Sequence, residues 1–294
     1  MRGGDRAHRR PGAYTVYRCR ACGTVFLWPL PGPEAFGELY PEDYVPYGPA
    51  VLTGLQRWLY DYGVDKQVRA VLREASGQPG RALDVGCARG DFLAGLRRRG
   101  WQVQGLELNG RIAAEARARN GLAVDEADFM HNRYPDAAFD LVSFWDVLEH
   151  LADPPAALRE AARIARPGAL LVISVPDPES LEAGWFGPAW AGWDMPRHFW
   201  LFPQAVMRRL LAEAGWEVQA VRHFRGRHWL LVLSLRLWLE ARAVAPGLQR
   251  VLLGLAQSAG ARVLLLPYFE IVERLGRGSI MVFFARRREG ESDD

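Results

Sequence analysis

Cysteine is scarce in this chain, with three in 294 residues, and lysine is scarcer still, since Lys66 is the only one. So few thiols in a chain of this length make no disulfide framework, which points to a reducing compartment. Long hydrophobic runs are missing too. Trp229–Leu235 and Val263–Tyr268 stop well short of the roughly 18 to 20 apolar residues that a membrane-crossing helix needs. The N-terminal MRGGDRAHRRPG carries charge with no apolar stretch behind it, so no secretory signal is read there and a cytoplasmic protein is expected. Nor is there a strong excess of one charge. Basic residues number 37 against 34 acidic ones, a net +3, and Arg97–Arg99 and Arg286–Arg288 are expected on solvated helix and tail faces. Nucleic acid is therefore not an expected partner. No segment of roughly 20 to 50 residues repeats, which excludes solenoids and propellers.

What is present is enough apolar material, 49% of residues, for a large core. Residues 1–50, rich in Pro, Gly and Tyr, read as an irregular leader. Leu55, Leu59, Val64, Val68, Val71 and Leu72 recur at helical spacing until SGQPG breaks the pattern. Short apolar runs then alternate with helical stretches: ALDVG, VQGLEL, FDLVSFW and ALLVISVP as strands, with helices over 91–99, 111–119 and 155–165. A helix over 204–214 and the strand WEVQAVRHF continue the series. This alternation predicts an α/β core over 51–225, a parallel sheet with helices on both faces. Residues 226–276 read as a helical insertion. GSIMVFFARR, in the final segment 277–294, is expected to close the sheet as an antiparallel strand ahead of a charged tail.

Ligands of such sheets bind beyond the carboxyl ends of the strands, so the turn in LDVGCARG is the first place to look. A dinucleotide fingerprint, G-x-G-x-x-G, would put its third glycine inside the helix. Here the spacing is Gly86-x-Ala88-x-Gly90, and Asp91 at the helix start would repel a pyrophosphate. An NAD-dependent oxidoreductase is thus disfavoured. Glu107 ends the second strand 17 residues after Gly90, where a carboxylate can accept from two ribose hydroxyls. Asp128 lies twelve residues before Asp140.

In this order and spacing the residues resemble the class I S-adenosylmethionine (SAM) dependent methyltransferases, whose first motif is D/E-x-G-x-G-x-G. The resemblance implies a Rossmann-like seven-stranded sheet with its last strand antiparallel, and SAM as cofactor. It implies a cofactor set of Asp84, Gly86, Cys87, Ala88, Gly90, Glu107, Leu108, Asp128, Phe129 and Trp145, with Asp84 attracting the ammonium and Asp128 meeting the adenine amino group, Phe129 alongside. Ala88 departs from the glycine pattern, and its methyl group is expected to require a negative φ.

Two stretches offer a general base. SFWDVLEHLADP resembles the segment after the fourth strand of ubiquinone-biosynthesis O-methyltransferases, and it places Asp146, Glu149 and His150 at the active edge of the sheet. Alternatively His150 caps structure while Trp145 and Leu148 pack. WDMPRHFWLF resembles the D-x-P-R-H signature of methyltransferases of polysaccharide, secondary-metabolite and lipid-linked biosynthesis. Asp194, Arg197 and His198 would then face the acceptor, Arg197 being suited to a carboxylate or phosphate; the other reading pairs Arg197 with Asp194 inside a packed lid. His150 or His198 is expected as the base.

Cys19 and Cys22 in YRCRACG have the shape of half a zinc ribbon, a module complete in relatives of this subgroup. Cys87 belongs to the turn and His8 is the one candidate third ligand, so no bound metal is expected. The insertion, with Arg236, Arg242, Arg250 and Arg262 breaking its apolar surface, either covers the sheet, forms a homodimer contact or touches a membrane peripherally. The acceptor implied is a small-molecule or lipid-linked hydroxyl, on a sugar or a quinone- or polyketide-like ring. A non-catalytic SAM-binding or scaffold protein stays open beside the enzyme.

Overall fold

The computed structural model describes residues 2–5, 10–32, 39, 54–75, 78–224 and 227–289. In chain order it contains β1 (Arg2–Asp5), β2 (Arg10–Arg18), β3 (Val25–Trp28), α1 (Gly54–Glu74), β4 (Arg81–Val85), α2 (Asp91–Arg97), β5 (Gln102–Glu107), α3 (Gly110–Asn120), β6 (Ala123–Glu126), β7 (Phe139–Trp145), α4 (Pro154–Ile164) and β8 (Ala165–Pro176). There follow α5 (Leu181–Phe186), β9 (Trp200–Leu201), α6 (Gln204–Glu213), β10 (Trp216–Arg222), α7 (Arg227–Ala241), α8 (Pro246–Gln257), α9 (Ala259–Leu264), α10 (Leu266–Arg274) and β11 (Ile280–Arg287).

Seven strands make the main sheet in the order β10-β11-β8-β7-β4-β5-β6. Strand β11 runs antiparallel to both neighbours, while β8, β7, β4, β5 and β6 are parallel. The expected Rossmann-like sheet with an antiparallel last strand is therefore present. Its central strands read as unbroken apolar runs because helices cover both faces. Leu141, Val142 and Phe144 of β7, Leu171 to Ile173 of β8 and Phe283 to Ala285 of β11 are all within 1% of complete burial. Each large apolar side chain hidden in this way contributes about 1.5–3 kcal/mol. On one face α4 sets Leu158, Ala161 and Ile164 into the core, and the buried Trp216 indole N–H donates to the Leu158 carbonyl at 3.1 Å. Helix α4 begins cleanly: Asp153 accepts from the Ala156 N–H at 2.9 Å, and prolines open its first turn.

The leader departs from the sequence reading. Instead of an irregular segment, β1, β2 and β3 form an antiparallel sheet with β9. The cause lies in period-two burial: Val25 and Leu27 point inward while Trp28 stays exposed. Proline and glycine around these short strands hide that period in the sequence. The pairing partner is also remote, since Val25 pairs with Leu201 and Phe26 with Trp200, and the Leu27 N–H reaches the Phe199 carbonyl at 2.9 Å. Arg97 to Arg99 are exposed as expected, whereas Arg286 and Arg287 are half-buried. Arg97 donates to the carbonyls of Asn120 and Gly121, closing the end of α3, and Arg286 and Arg287 lie in β11 and donate to backbone carbonyls.

Strand β3 thus braces the segment that leads into β9. Leu201, 3% exposed, anchors that brace, and Leu201→Ala is expected to lower the free energy of unfolding by about 2–4 kcal/mol in a urea titration.

Candidate active site

The order of the strands reverses between β4 and β7, and the carboxyl ends of β4, β5, β6 and β7 open on one edge. At the centre of that edge Asp84, 3% exposed, accepts from the Ser143 hydroxyl of the adjacent strand at 2.6 Å. The turn after β4 is tied to β5: the N–H groups of Gly86 and Cys87 both donate to the Leu106 carbonyl, at 2.8 and 3.1 Å. Gly86 and Gly90 have φ of 67° and 74°. A Cβ on Gly86 would meet Val147 at 2.6 Å, and one on Gly90 would meet Leu122 at 2.3 Å, so neither position admits a side chain.

Ala88 contradicts its expectation. Its φ is +46°, not negative, and its N–H donates to Glu107 Oε2 at 3.0 Å. The need to present that N–H to the carboxylate outweighs the cost of about 1–2 kcal/mol for a left-handed alanine. Glu107 Oε1 accepts from the Asn109 N–H at 2.9 Å. Two backbone donors therefore fix the carboxylate, and each oxygen keeps a further lone pair for a ribose hydroxyl. Burial pushes the Glu107 pKa up, and the N–H groups of Asn109, Ala88 and Leu108 pull against it. Beside it Leu108 is 45% exposed, an apolar surface at the rim fit for a flat base. This donor and acceptor set fits SAM.

The remaining cofactor candidates divide. Asp128 stands at the end of β6, half-exposed, with Oδ1 accepting from the Met130 N–H at 2.7 Å. Phe129 is a correction: its ring is 3% exposed and packs edge-on against Phe144, so it serves the core and presents no face to adenine. Trp145 packs edge-on against Phe92. Cys87 is buried beneath the turn, its thiol pushed up in pKa chiefly by burial and next by Asp84 and Glu107, so it stays protonated. Asp91 accepts from the Tyr60 hydroxyl at 2.7 Å and lies 3.6 Å from Arg119.

A second cluster joins the two motif stretches at the same edge. His150 Nδ1 lies 2.9 Å from the Arg197 carbonyl, and His198 Nδ1 lies 2.8 Å from the Gly192 carbonyl. A carbonyl only accepts, so both histidines carry their proton on Nδ1 and keep the Nε2 lone pair. The rings are 4.8 Å apart. Burial, then the neighbouring His198, lowers the His150 pKa to about 3, and burial lowers that of His198 as well. Both are neutral at physiological pH. Glu149, fully buried, sets Oε1 3.9 Å from His198 Nε2, and one donor atom from each of Glu149, His150 and His198 falls within 4.8 Å of the others. Such a set could hold a divalent cation.

Arg197 is the second correction. It is completely buried, donates to Asp194 Oδ2 at 2.9 Å and Oδ1 at 2.5 Å, and turns Nη1 to the Leu39 carbonyl at 3.5 Å. It braces the loop rather than facing an acceptor, and its positive charge holds the Asp194 carboxyl below its usual pKa against the opposing effect of burial. Asp146, at φ 57°, accepts from the Ser174 hydroxyl at 2.6 Å. Ser143 and Ser174 were missed by sequence reasoning. Their signal was a hydroxyl inside an apolar run, LVSFW for Ser143 and ALLVISVP for Ser174.

In the leader, Cys19 and Cys22 lie at the turn between β2 and β3. The Cys19 N–H donates to the Thr24 carbonyl at 2.8 Å, and Thr24 lowers the Cys22 pKa. Among the described residues no third donor joins them, and His8 lies outside those residues.

Replacing Ala88 with glycine relieves the left-handed strain and leaves the N–H in place. Ala88→Gly is expected to raise stability by up to about 1 kcal/mol in denaturant unfolding. Gly86→Ala should abolish S-adenosylhomocysteine binding by calorimetry, because its methyl group meets Val147.

The geometry agrees with comparisons to known proteins. A sequence profile described as "Methyltransferase domain" matches residues 60–221, more than half of the chain. The ubiquinone biosynthesis O-methyltransferase of Hahella chejuensis is 34% identical over 108 residues, 34% of this chain and 45% of that protein. The 27-O-demethylrifamycin SV methyltransferase of Amycolatopsis mediterranei is 32% identical over 115 residues, 35% of this chain and 42% of that protein. The chain thus spans less than half the length of these curated relatives. In fold it is similar to the crystal structure of the 1,6-didemethyltoxoflavin-N1-methyltransferase of Burkholderia thailandensis with bound S-adenosylhomocysteine, at TM-score 0.53 and 17% identity over 93% of this chain and 99% of that one. With the sheet order, the turn and the Glu107 cradle in agreement with these matches, the chain belongs to the family of SAM-dependent methyltransferase domains.

Proposed function

We propose that this protein is an O-methyltransferase acting on a hydroxyl of a small or lipid-linked acceptor, on a quinone- or polyketide-like ring or a sugar. One observation supports this above the rest: two neutral histidines, their rings 4.8 Å apart and each holding its proton on Nδ1 against a backbone carbonyl, lie at the sheet edge that carries the Glu107 cradle. The names of the relatives, O-methyltransferases of ubiquinone and rifamycin-type molecules, support the same chemistry.

When bound, SAM supplies a methyl group already activated on a cationic sulfur. What the chain must add is position, dryness and a place for the proton. Glu107 holds the ribose, Asp128 and Leu108 meet the base, and Asp84 draws the ammonium end. The acceptor hydroxyl approaches Nε2 of His150 or His198, which takes its proton as the oxygen becomes nucleophilic. The carbonyls of Arg197 and Gly192 keep each ring in the working tautomer, and the buried Asp194–Arg197 pair fixes the loop that carries one of these carbonyls and His198.

Alanine at His150 or His198 is expected to lower kcat by about 10²–10⁴-fold with S-adenosylhomocysteine affinity unchanged; near-normal rates in both variants would overturn the base assignment. Because both histidine pKa values are depressed below the ordinary 6.5, the acid limb of the rate profile should have its midpoint below pH 6.5. Folding stability shares the sign: the unfolded chain takes up protons on these rings below pH 6.5 and the folded one resists, so stability falls as pH drops through that range.

The convergence of Glu149, His150 and His198 favours a second reading, in which these residues bind a divalent cation that orients the acceptor. Dialysis against a chelator then removes activity and a divalent salt restores it, whereas a base working alone keeps full activity.

A further inference from the structure

The helical insertion divides into a packed part and an unpacked part. Helix α7 buries Leu230 and Leu237 against the segment that precedes the D-x-P-R-H loop, and Leu239 is buried as well. Helices α8 and α9 bury no residue. On α8, Leu248, Val251 and Leu255 recur at i, i+3 and i+7, and all three are more than half exposed. Further exposed apolar side chains follow: Val263 and Leu264 of α9, the latter 81% exposed, Leu266 and Ile271 of α10, and Leu275 just past its end. An isolated exposed leucine needs no explanation, but a face shared by three successive helices does.

Length and charge limit what can cover it. No described helix is long and apolar enough to cross a membrane; the one combination that passes on composition is Pro246–Gln257 with Ala259–Arg274, bent by 59°. Helices α8 to α10 carry three arginines, Arg250, Arg262 and Arg274, against two glutamates, of which Glu270 lies 3.3 Å from Arg274 and Glu273 lies 3.5 Å from Lys66. Arg250, Arg262 and Arg274 are exposed beside the apolar face. A second copy of this chain would bring like charges together around that face. An anionic lipid surface complements it, with leucines entering the acyl boundary and arginines reaching the phosphates. Trp185, 59% exposed, stacks on Tyr268 of α10 at 5.7 Å, and such amphipathic rings suit the headgroup level.

We infer that the exposed face of α8, α9 and α10 lies flat on the surface of an anionic lipid bilayer. Trp185 belongs to α5, so the contact stands next to the stretch leading into the acceptor loop. It holds whether the acceptor is itself lipid-linked or soluble.

The test is flotation of the intact chain with vesicles of phosphatidylcholine alone and with vesicles of equal parts phosphatidylcholine and phosphatidylglycerol. Binding is expected to the anionic vesicles, to weaken with added salt, and to fall at least about tenfold in the double variant Leu255→Asp with Leu264→Asp, given what two buried leucines contribute. Both positions are exposed, and S-adenosylhomocysteine binding measured alongside shows that the variant is folded. Absence of binding to anionic vesicles, or equal binding by the double variant, overturns the inference. So does a stable dimer in sedimentation that the double variant dissociates, because a second copy then covers the face.

Discussion

The buried hydrogen bond between Asp84 and Ser143 joins the two strands on which the site depends. These strands, β4 and β7, are parallel neighbours although the chain leaves β4 on one side and returns to β7 on the other. Only this crossing brings the turn after β4 beside the segment after β7, so that cofactor cradle and histidine pair share an edge. A carboxylate at the centre of a sheet is costly without a partner, and the serine hydroxyl supplies one.

Around that centre the site is held by backbone more than by side chains. Glu107 is oriented by the N–H groups of Ala88 and Asn109, and the two histidines are oriented by carbonyls of Arg197 and Gly192. Backbone partners survive sequence change better than side chains do. The same arrangement can therefore serve relatives that act on unlike acceptors, while the surface around it varies.

Much of the fold was legible in the sequence because β4, β7 and β8 are buried on both faces and read as largely apolar runs, whereas the short edge strand β6, AVDE with one buried residue, carries no such signal. The turn after β4 and the place of Glu107 at the end of β5 were legible for another reason, since both lie at a fixed spacing after the first strand. Ala88 was misread because φ depends on the hydrogen bond to a residue nineteen positions away, which no local pattern contains. Phe129 and Arg197 were misread for a shared reason: residue type indicates what a side chain can contact, and burial decides whether a ligand reaches it. The leader was misread because β3 finds its partner in β9, with β4 to β8 lying between them in the chain.

That last pairing sets one support of the histidine loop outside the region that matches the family. The profile match begins at residue 60, while Val25 to Leu27 grip the strand that follows His198. Substitutions in the leader can retune the histidine loop without touching the cradle for SAM. A change in β3 is thereby felt at the backbone next to His198, through the bond from the Leu27 N–H to the Phe199 carbonyl.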